Sequence, residues 1–262
     1  MGVFFSNKNK NMNIVITGAT SGIGLATARL FASKGHTLIL LARRLEKLKE
    51  ISALLQFTYK NNNIFFQCDV QNHQQVQNVF EKLKSANLGV DVLINNAGLS
   101  RGLEPIQDGI LQNWEEMIDT NVKGLLYVSK EAIPLLKQAN NPTIVNISSI
   151  AGRWVYPNGN VYCASKSAAK VLSEAMRIDL NQLGFRVVNI DPGLVETEFS
   201  EVRFHGDTER AKKVYEGYEP LTAENVAECI YFAVSAPSNV VIADMMILPK
   251  AQASATIVNK QQ

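Results

Sequence analysis

A tyrosine and a lysine four residues apart, Tyr162 and Lys166, stand near the start of a stretch with the hydrophobic period of a helix. Residues at this spacing share one helix face, with Cβ atoms ~6 Å apart, so the ammonium can act near the phenol. A phenol with an ordinary pKa of ~10 exchanges protons near neutral pH only if its pKa is lowered, as a nearby cation would do. The pair therefore suggests acid–base chemistry at a substrate oxygen, but so short a motif also occurs by chance and depends on its surroundings.

A glycine-rich segment, 17–24, follows a short aliphatic run and leads directly into a helix-like stretch. Glycines permit a sharp turn and a close approach of the backbone to a pyrophosphate, and the helix N-terminus offers unpaired N–H donors to that anion. Because this segment joins a strand to a helix, it predicts a dinucleotide site. The residues expected to contact the dinucleotide here are Gly18, Thr20, Ser21, Gly22, Ile23 and Gly24.

The end of the second predicted strand indicates which dinucleotide is bound. An NAD site usually has an acidic residue there, about 20 residues after the glycines, for the ribose 2′-hydroxyl. This chain has Arg43 and Arg44 instead, and its first acid, Glu46, lies beyond the strand. A guanidinium can pair with a 2′-phosphate, so NADP(H) is favoured with Arg43 as the contact. The alternative is that both arginines are solvated residues at a helix start.

Short apolar runs alternate with helix-period stretches along nearly the whole chain. The predicted strands are 13–17, 37–42, 63–67, 90–94, 143–147, 186–190 and 240–248. The predicted helices are 23–34, 46–56, 72–86, 111–138, 161–183 and 223–235. Strict alternation predicts an α/β fold: one Rossmann-type doubly wound parallel sheet of about seven strands with helices on both faces. We expect a single domain over 13–262 after a loose leader, 1–12.

The alternation of predicted strands and helices is interrupted at 192–222, a Glu- and Arg-rich segment with weak hydrophobic periodicity. Ligands of open α/β sheets lie beyond the carboxyl ends of the strands, and long irregular loops there are often functional. The segment is therefore predicted to be a substrate lid, with an ordinary surface excursion as the alternative.

Composition excludes several classes of function. A net charge of only +2 argues against nucleic-acid binding, because affinity for the phosphate backbone comes from clustered Lys and Arg. Cys68, Cys163 and Cys229 are scattered, which argues against disulfides or a metal site and favours a cytoplasmic location. No apolar run approaches the ~20 residues of a membrane span. Residues 1–6 formally match a myristoylation pattern, although a loose leader is the favoured interpretation.

Taken together, these motifs resemble the short-chain dehydrogenase/reductase superfamily over nearly the whole chain. The features that carry the resemblance are the GxxxGxG spacing at 18–24, Asn95-Asn96-Ala97-Gly98, Asn121, Ser149 thirteen residues before Tyr162, Lys166, and Asp191-Pro192-Gly193. The resemblance implies a hydride-transferring oxidoreductase with NADP(H) as cofactor and a catalytic tetrad of Asn121, Ser149, Tyr162 and Lys166.

The resemblance also implies a role for each tetrad member. Tyr162 is the acid–base group, and Lys166 favours its phenolate and binds the nicotinamide ribose. Ser149 holds the substrate oxygen, and the thirteen-residue spacing favours it over Ser148. Asn121 anchors a water in a proton relay to Lys166.

Several further cofactor contacts follow from the same resemblance. Asp69 would meet the adenine amine, and the Asn-Asn-Ala-Gly turn would shape the adenosine side, although such a turn also stabilises a sheet. The remaining implied contacts are Val70, Asn95, Ala97, Gly98, Tyr162, Lys166, Pro192, Gly193, Val195 and Thr197.

Within the superfamily, segments 149–153, 191–204 and 241–254 resemble the NADP-dependent 3-hydroxy acid dehydrogenases, which oxidise serine, allo-threonine and 3-hydroxyisobutyrate. Such substrates carry a carboxylate, which favours a fixed cation in the pocket. Arg153 and Arg203 are the candidates and Arg101 is a weaker third, with an exposed surface charge as the alternative for each.

Two other functions remain open at this point. A carbonyl or 3-oxoacyl reductase shares every catalytic residue and differs only in its pocket. A non-catalytic NADP(H)-binding sensor would not need the Tyr162–Lys166 pair. The resemblance further implies a homo-oligomer, a tetramer or a dimer, paired through helices 111–138 and 161–183. The apolar segment 245–249 would be either a final core strand or a contact with a neighbouring subunit.

Overall fold

The computed structural model describes residues 11–260, and the predicted leader up to residue 10, with its myristoylation pattern, lies outside this range. Within residues 11–260 the chain forms one seven-stranded sheet in which all paired strands are parallel. The strands are β1 (Asn13–Thr17), β2 (Thr37–Ala42), β3 (Asn63–Gln67), β4 (Val92–Asn95), β5 (Thr143–Ile147), β6 (Arg186–Pro192) and β7 (Asp244–Ile247). The predicted Rossmann-type fold is confirmed.

The strand order is β3-β2-β1-β4-β5-β6-β7. From β1 the strands are added toward one edge of the sheet, and from β4 they are added toward the other edge. This change between the neighbours β1 and β4 creates a crevice at their carboxyl ends. Helices cover both faces. They are α1 (Gly22–Ser33), α2 (Leu45–Tyr59), α3 (His73–Ser85), α4 (Leu111–Ile118), α5 (Leu125–Leu136), α6 (Asn160–Asp179), α7 (Phe199–Arg203), α8 (Thr208–Lys213) and α9 (Ala223–Val234).

Alternation along the strands divides the core into two layers. Ile14 and Ile16 of β1 pack on one face of the sheet against residues of α1, α2 and α9. Val15, between them in sequence, packs on the other face against residues of α3 and α5. Because a parallel strand covered on both faces can be apolar at every position, β1 and its neighbours read as continuous aliphatic runs.

Three predicted elements have different limits in the structure. The predicted helix 111–138 is interrupted by a π-helical turn, Asp119–Gly124, between α4 and α5. The predicted strand 240–248 is shorter in the structure, where only the residues of β7 form a strand. This edge strand pairs only with residues Asn189 to Pro192 of β6. The predicted helix 161–183 ends at Asp179, and a separate 3₁₀ turn follows at Asn181–Leu183. None of the helices in residues 11–260 is long and apolar enough to cross a membrane.

Candidate active site

A cavity of about 490 Å³ runs along the carboxyl edge of the sheet, from the glycine-rich turn to the segment 192–222. Its walls come from the loops after β1, β2, β3, β4, β5 and β6, together with α6 and the segment that contains α7 and α8. This is the crevice at which an open parallel sheet binds its ligand.

The glycine-rich turn brings the backbone to the cavity wall. Gly18 and Gly22 have φ of +65° and +49°, in the left-handed region that favours glycine. A Cβ at Gly24 would lie 2.3 Å from the Gly18 carbonyl oxygen, so this glycine allows α1 to pack closely behind the turn. Ser21, the N-cap of α1, makes no side-chain capping bond, so the first N–H groups of the helix remain available to a ligand. The turn therefore fits the pyrophosphate of a dinucleotide.

The two arginines after β2 have different surroundings. Arg43 lines the cavity, and its guanidinium has no hydrogen-bond or ion-pair partner among the described residues. Arg44 donates from Nε and Nη2 to the Thr20 hydroxyl at 3.2 and 3.1 Å and from Nη1 to Glu198 at 3.1 Å. Arg43 is thus the free cation that a 2′-phosphate could meet.

Most of the predicted cofactor contacts lie at the cavity wall. They are Gly18, Thr20, Ser21, Gly22, Ile23, Arg43, Asp69, Val70, Ala97, Gly98, Tyr162, Lys166, Pro192, Gly193, Val195 and Thr197. At Asp69, one carboxylate oxygen accepts from the N–H of Gln71, and the described residues offer no side-chain donor to the other. That oxygen can therefore meet an amine.

Asn95 is not at the wall, contrary to the prediction. Its amide donates to the Ser129 hydroxyl and to the Asn146 side-chain oxygen, both at 2.9 Å, inside the core beside β5 and α5. The next residue, Asn96, lines the cavity and donates to the carbonyls of Thr17 and Gly18 at 2.9 and 3.3 Å. Asn95 is the last residue of β4, so its side chain follows the strand's alternation into the core, while Asn96 ties the loop to the glycine turn.

Tyr162 lies in the first turn of α6 with 8% of its surface exposed. Burial and the neighbouring Tyr156 raise the pKa of its phenol, while the Arg203 cation and Ser149 oppose this by favouring the phenolate. On the same helix face, Lys166 donates from Nζ to the Ile147 carbonyl at 3.0 Å. Burial lowers the pKa of Lys166 to about 8, although nearby Asp191 favours its charged form.

The two adjacent serines after β5 differ in their hydrogen-bond partners. Ser148 donates to the Lys166 carbonyl at 2.7 Å, which joins the end of β5 to α6. The Ser149 hydroxyl accepts from the Ala151 N–H at 3.1 Å, and its other contact is a long one of 3.5 Å to the Pro192 carbonyl. Since both serines border the cavity but Ser148 is committed to the backbone, Ser149 is the one with a hydroxyl available to a substrate.

Asn121 lies in the π-helical turn, behind the cavity wall. Its side-chain oxygen accepts from the Leu99 N–H at 2.9 Å. Its amide donates to the Leu99 carbonyl at 2.8 Å and to the Ser165 hydroxyl at 3.0 Å. The side chain thus fixes the loop after β4 against α6. Single π turns of this kind often occur at functional sites.

The three arginines proposed for substrate binding differ in their partners and in their position relative to the cavity. Arg153 does not line the cavity; its guanidinium is held by Asp191 at 2.5 Å and by Asp244. Arg101 pairs with Glu116 at 2.8 Å and donates to the Val202 carbonyl, also away from the cavity wall. Both guanidinium groups are therefore already neutralised by carboxylates of the protein.

Arg203, the last residue of α7, does line the cavity. It donates from Nε to the Ser100 hydroxyl at 3.0 Å and from Nη2 to the Tyr156 hydroxyl. Its Nη1 has no partner, and its guanidinium pairs with no carboxylate among residues 11–260. Of the three candidates, only Arg203 presents an uncompensated cation to the cavity.

Sequence reasoning missed part of the substrate end of the cavity. Ser200 and Tyr215, inside the predicted lid, share a hydrogen bond of 2.7 Å, and the Tyr215 hydroxyl reaches the Val195 carbonyl. Gln252, far along the chain, accepts from the Leu194 N–H at 2.9 Å. The break in periodicity pointed to the segment 192–222 as a whole, but no local signal distinguishes Gln252, because its contact depends on a segment 58 residues away.

Comparison with known proteins agrees with this geometry. The family profile described as short chain dehydrogenase matches residues 12–207. A Schizosaccharomyces pombe protein named NADP-dependent 3-hydroxy acid dehydrogenase is 42% identical over 95% of this chain and 96% of its own length. A Chromohalobacter salexigens protein named sulfoacetaldehyde reductase 2 is 40% identical over 92% of this chain and 95% of its own length. A solved structure described as the closed form of serine dehydrogenase complexed with NADP+ is 38% identical, covers 96% of this chain and 100% of that one, and superposes with a TM-score of 0.88.

Proposed function

The chain belongs to the short-chain dehydrogenase family, and on that premise we propose that it is an NADP(H)-dependent oxidoreductase of short 3-hydroxy acids. It would interconvert the hydroxyl and carbonyl groups of substrates such as serine, allo-threonine or 3-hydroxyisobutyrate. The names of its relatives agree with both the cofactor and the substrate class.

The nucleotide end of the cavity supports NADP(H). The glycine turn and the open N-terminus of α1 would hold the pyrophosphate. Arg43, a cation without a partner in the described residues, would take the 2′-phosphate, and Asp69 would take the adenine amine. Where an NAD site would have a carboxylate after β2, this chain has none.

The other end of the cavity supplies proton chemistry. When bound, the nicotinamide supplies or accepts the hydride. Tyr162 would take the proton from the substrate hydroxyl during oxidation and return it during reduction, while Ser149 holds that oxygen in place. Lys166 would bind the nicotinamide ribose and favour the phenolate. Since both amide N–H groups of Asn121 are engaged and its side-chain oxygen already accepts from the Leu99 N–H, a water in a relay to Lys166 would be held by the main chain of the π turn.

One observation carries the choice of substrate: the cation of Arg203 lies beside Tyr162 with a free Nη1 and no carboxylate partner among the described residues. A cation at the cavity wall next to the acid–base group fits a substrate whose anionic group lies close to its reacting carbon. A 3-hydroxy acid meets that requirement and a neutral alcohol does not.

The same cation favours a second candidate, a small aldehyde that carries a sulfonate, because a sulfonate also offers paired oxygens to a guanidinium. The name of the relative at 40% identity describes such a substrate for that protein. A general carbonyl reductase or a 3-oxoacyl reductase has no corresponding use for the free Nη1 of Arg203.

We propose further that the chain forms homo-oligomers, as a tetramer or dimer, and that residues 192–222 act as a substrate lid. Val171 and Ile178 on α6 are 61% and 69% exposed, and an oligomer would cover them. A cytoplasmic location is also proposed, because Cys68, Cys163 and Cys229 are all unpaired thiols. Light scattering on the purified protein measures the number of subunits.

The deciding assay follows the reduction of NADP+ and NAD+ with L-serine, L-allo-threonine, 3-hydroxyisobutyrate, 2-hydroxyethanesulfonate and a neutral alcohol. NADP+ together with a 3-hydroxy acid is expected to give the highest kcat/KM. A preference for the sulfonate would select the second candidate, and a preference for the neutral alcohol would contradict anion recognition. Absence of turnover with these alcohols, and of NADPH oxidation with the matching carbonyl compounds, would leave a nucleotide-binding protein without catalysis.

A further inference from the structure

Glu198 joins the lid to the nucleotide end of the cavity. It is the N-cap residue of α7 and lines the cavity. Its two carboxylate oxygens contact Arg44 Nη1 at 3.1 Å and Lys47 Nζ at 3.2 Å. Arg44 directly precedes α2 and Lys47 lies in its first turn, so these ion pairs connect the lid with the segment that follows β2.

The contacts of Arg44 engage all three of its guanidinium nitrogens with partners in the protein. Nε and Nη2 both point to the Thr20 hydroxyl in the glycine turn, and Nη1 points to Glu198. Arg43, by contrast, is free. The three cations after β2 are therefore unequal: one is open to an anion, and the other two share a single carboxylate of the lid.

We propose that Glu198 is a determinant of cofactor affinity and specificity, a carboxylate that competes with the ribose 2′-phosphate for Arg44 and Lys47. This inference rests on the proposed NADP(H) dependence. A 2′-phosphate that reaches Arg43 also approaches Glu198, so the carboxylate repels it until Arg44 or Lys47 turns from one anion to the other. A nucleotide with a 2′-hydroxyl carries no such charge and meets no such repulsion.

The exchange is feasible because the pairs are exposed to solvent. The side chains of Arg44 and Glu198 are 48% and 45% exposed, and ion pairs of this kind contribute little to stability. Arg44 and Lys47 keep the pKa of Glu198 below its usual range, against the opposing effect of partial burial, so the carboxylate is charged at neutral pH. A phosphate with nearly two charges can displace it.

The exchange would also release the lid. Both ion pairs of Glu198 lie between the lid and α2, so a phosphate that takes over Arg44 and Lys47 removes this tie. The neighbouring contact between Thr197 and the glycine turn, where a Cβ on Gly22 would lie 3.3 Å from the Thr197 side chain, does not depend on these charges. The nucleotide type would thus affect how firmly the start of α7 is held.

The test compares two lid variants that change charge equally. Glu198→Gln removes the carboxylate from Arg44 and Lys47. Glu201→Gln, three residues on in α7, is the control, because Glu201 is exposed and pairs with no cation among the described residues. The probes are 2′,5′-ADP, which carries the 2′-phosphate, and 5′-AMP, which lacks it. Both are titrated calorimetrically into the full chain, so the result does not depend on turnover.

The expected result is that Glu198→Gln lowers the Kd of 2′,5′-ADP about three- to tenfold and leaves that of 5′-AMP unchanged. Glu201→Gln should change neither, and the gain of Glu198→Gln should shrink as salt is raised. Glu198→Ala, which removes the carboxylate without leaving an amide to bond Arg44, should behave like Glu198→Gln.

An unchanged affinity of both Glu198 variants for 2′,5′-ADP would overturn the inference. A weaker affinity would also overturn it, and would show that the carboxylate instead holds Arg44 ready for the phosphate. A wild-type protein that binds 2′,5′-ADP no better than 5′-AMP would overturn the proposed cofactor, and this inference with it. The two failures are distinguishable because the second appears in the unmodified protein.

Discussion

The guanidinium of Arg203 lies over the ring of Tyr162, with its Cζ 5.2 Å from the ring centroid. The tyrosine belongs to α6 and the arginine to α7, so two elements separated in sequence place the proposed acid–base group and a cation side by side. Tyr156 contributes to the same contact, since Arg203 also lies over its ring at 5.7 Å and donates to its hydroxyl. The cation can therefore serve a substrate anion and the phenolate from one position.

Tyr162→Phe should lower kcat about 10²- to 10⁴-fold, because the ring keeps its packing but cannot exchange a proton with the substrate oxygen. The Kd of NADP+ should stay nearly the same, as measured by fluorescence titration. Tyr127→Phe is the matched control, since Tyr127 packs on His73 away from the cavity. Substantial dehydrogenase activity in the Tyr162 variant would refute its role.

Arg203→Ala should raise the KM for L-serine about ten- to hundredfold, the value of a hydrogen bond to a charged group, and should affect a neutral alcohol much less. Steady-state kinetics on both substrates give the ratio. Arg210→Ala is the control, because Arg210 lies in the same segment 192–222 but stacks on Phe204 outside the cavity. Equal changes in KM for serine and the alcohol would show that Arg203 does not recognise a carboxylate.

Arg153→Met should reduce the free energy of unfolding by about 2–4 kcal/mol, because it leaves Asp191, which is fully buried, without its cation. Urea denaturation measures the change, and the added substitution Asp191→Asn should restore part of it. If stability were unchanged while the KM for serine rose, Arg153 would be a substrate ligand after all.

Stability should fall as the pH drops below about 6.5, owing to His36. Burial lowers the pKa of this histidine in the folded state, an effect that Asp91 only partly offsets. The unfolded chain therefore takes up the proton first, and the free energy of unfolding decreases with falling pH until the folded histidine is also protonated.

Denaturation curves between pH 7.5 and 5 should show this loss in the wild type and a smaller slope in His36→Gln, whose side-chain oxygen can still accept from the Met12 N–H as His36 does. His205→Asn is the control because His205 is exposed. A slope that is identical in the wild type and the His36 variant would assign the pH dependence to other groups.

Local pattern was enough for the fold and for much of the site. Alternating strands and helices specify a parallel doubly wound sheet because few topologies satisfy that order. The spacing of Tyr162 and Lys166 needs only one helix to place both on one face. The glycine turn and the arginines after β2 likewise depend on their neighbours in sequence.

Partners from distant segments decided the rest. The sequence alone left Arg153, Arg203 and Arg101 as alternatives, and only the tertiary structure shows that Asp191, Asp244 and Glu116 neutralise two of them. It likewise shows that Asn95 belongs to the core and that Glu198 reaches across the cavity to Arg44. A charge is available to a ligand only if no other side chain reaches it, and that depends on contacts between residues up to 154 positions apart, which no local pattern encodes.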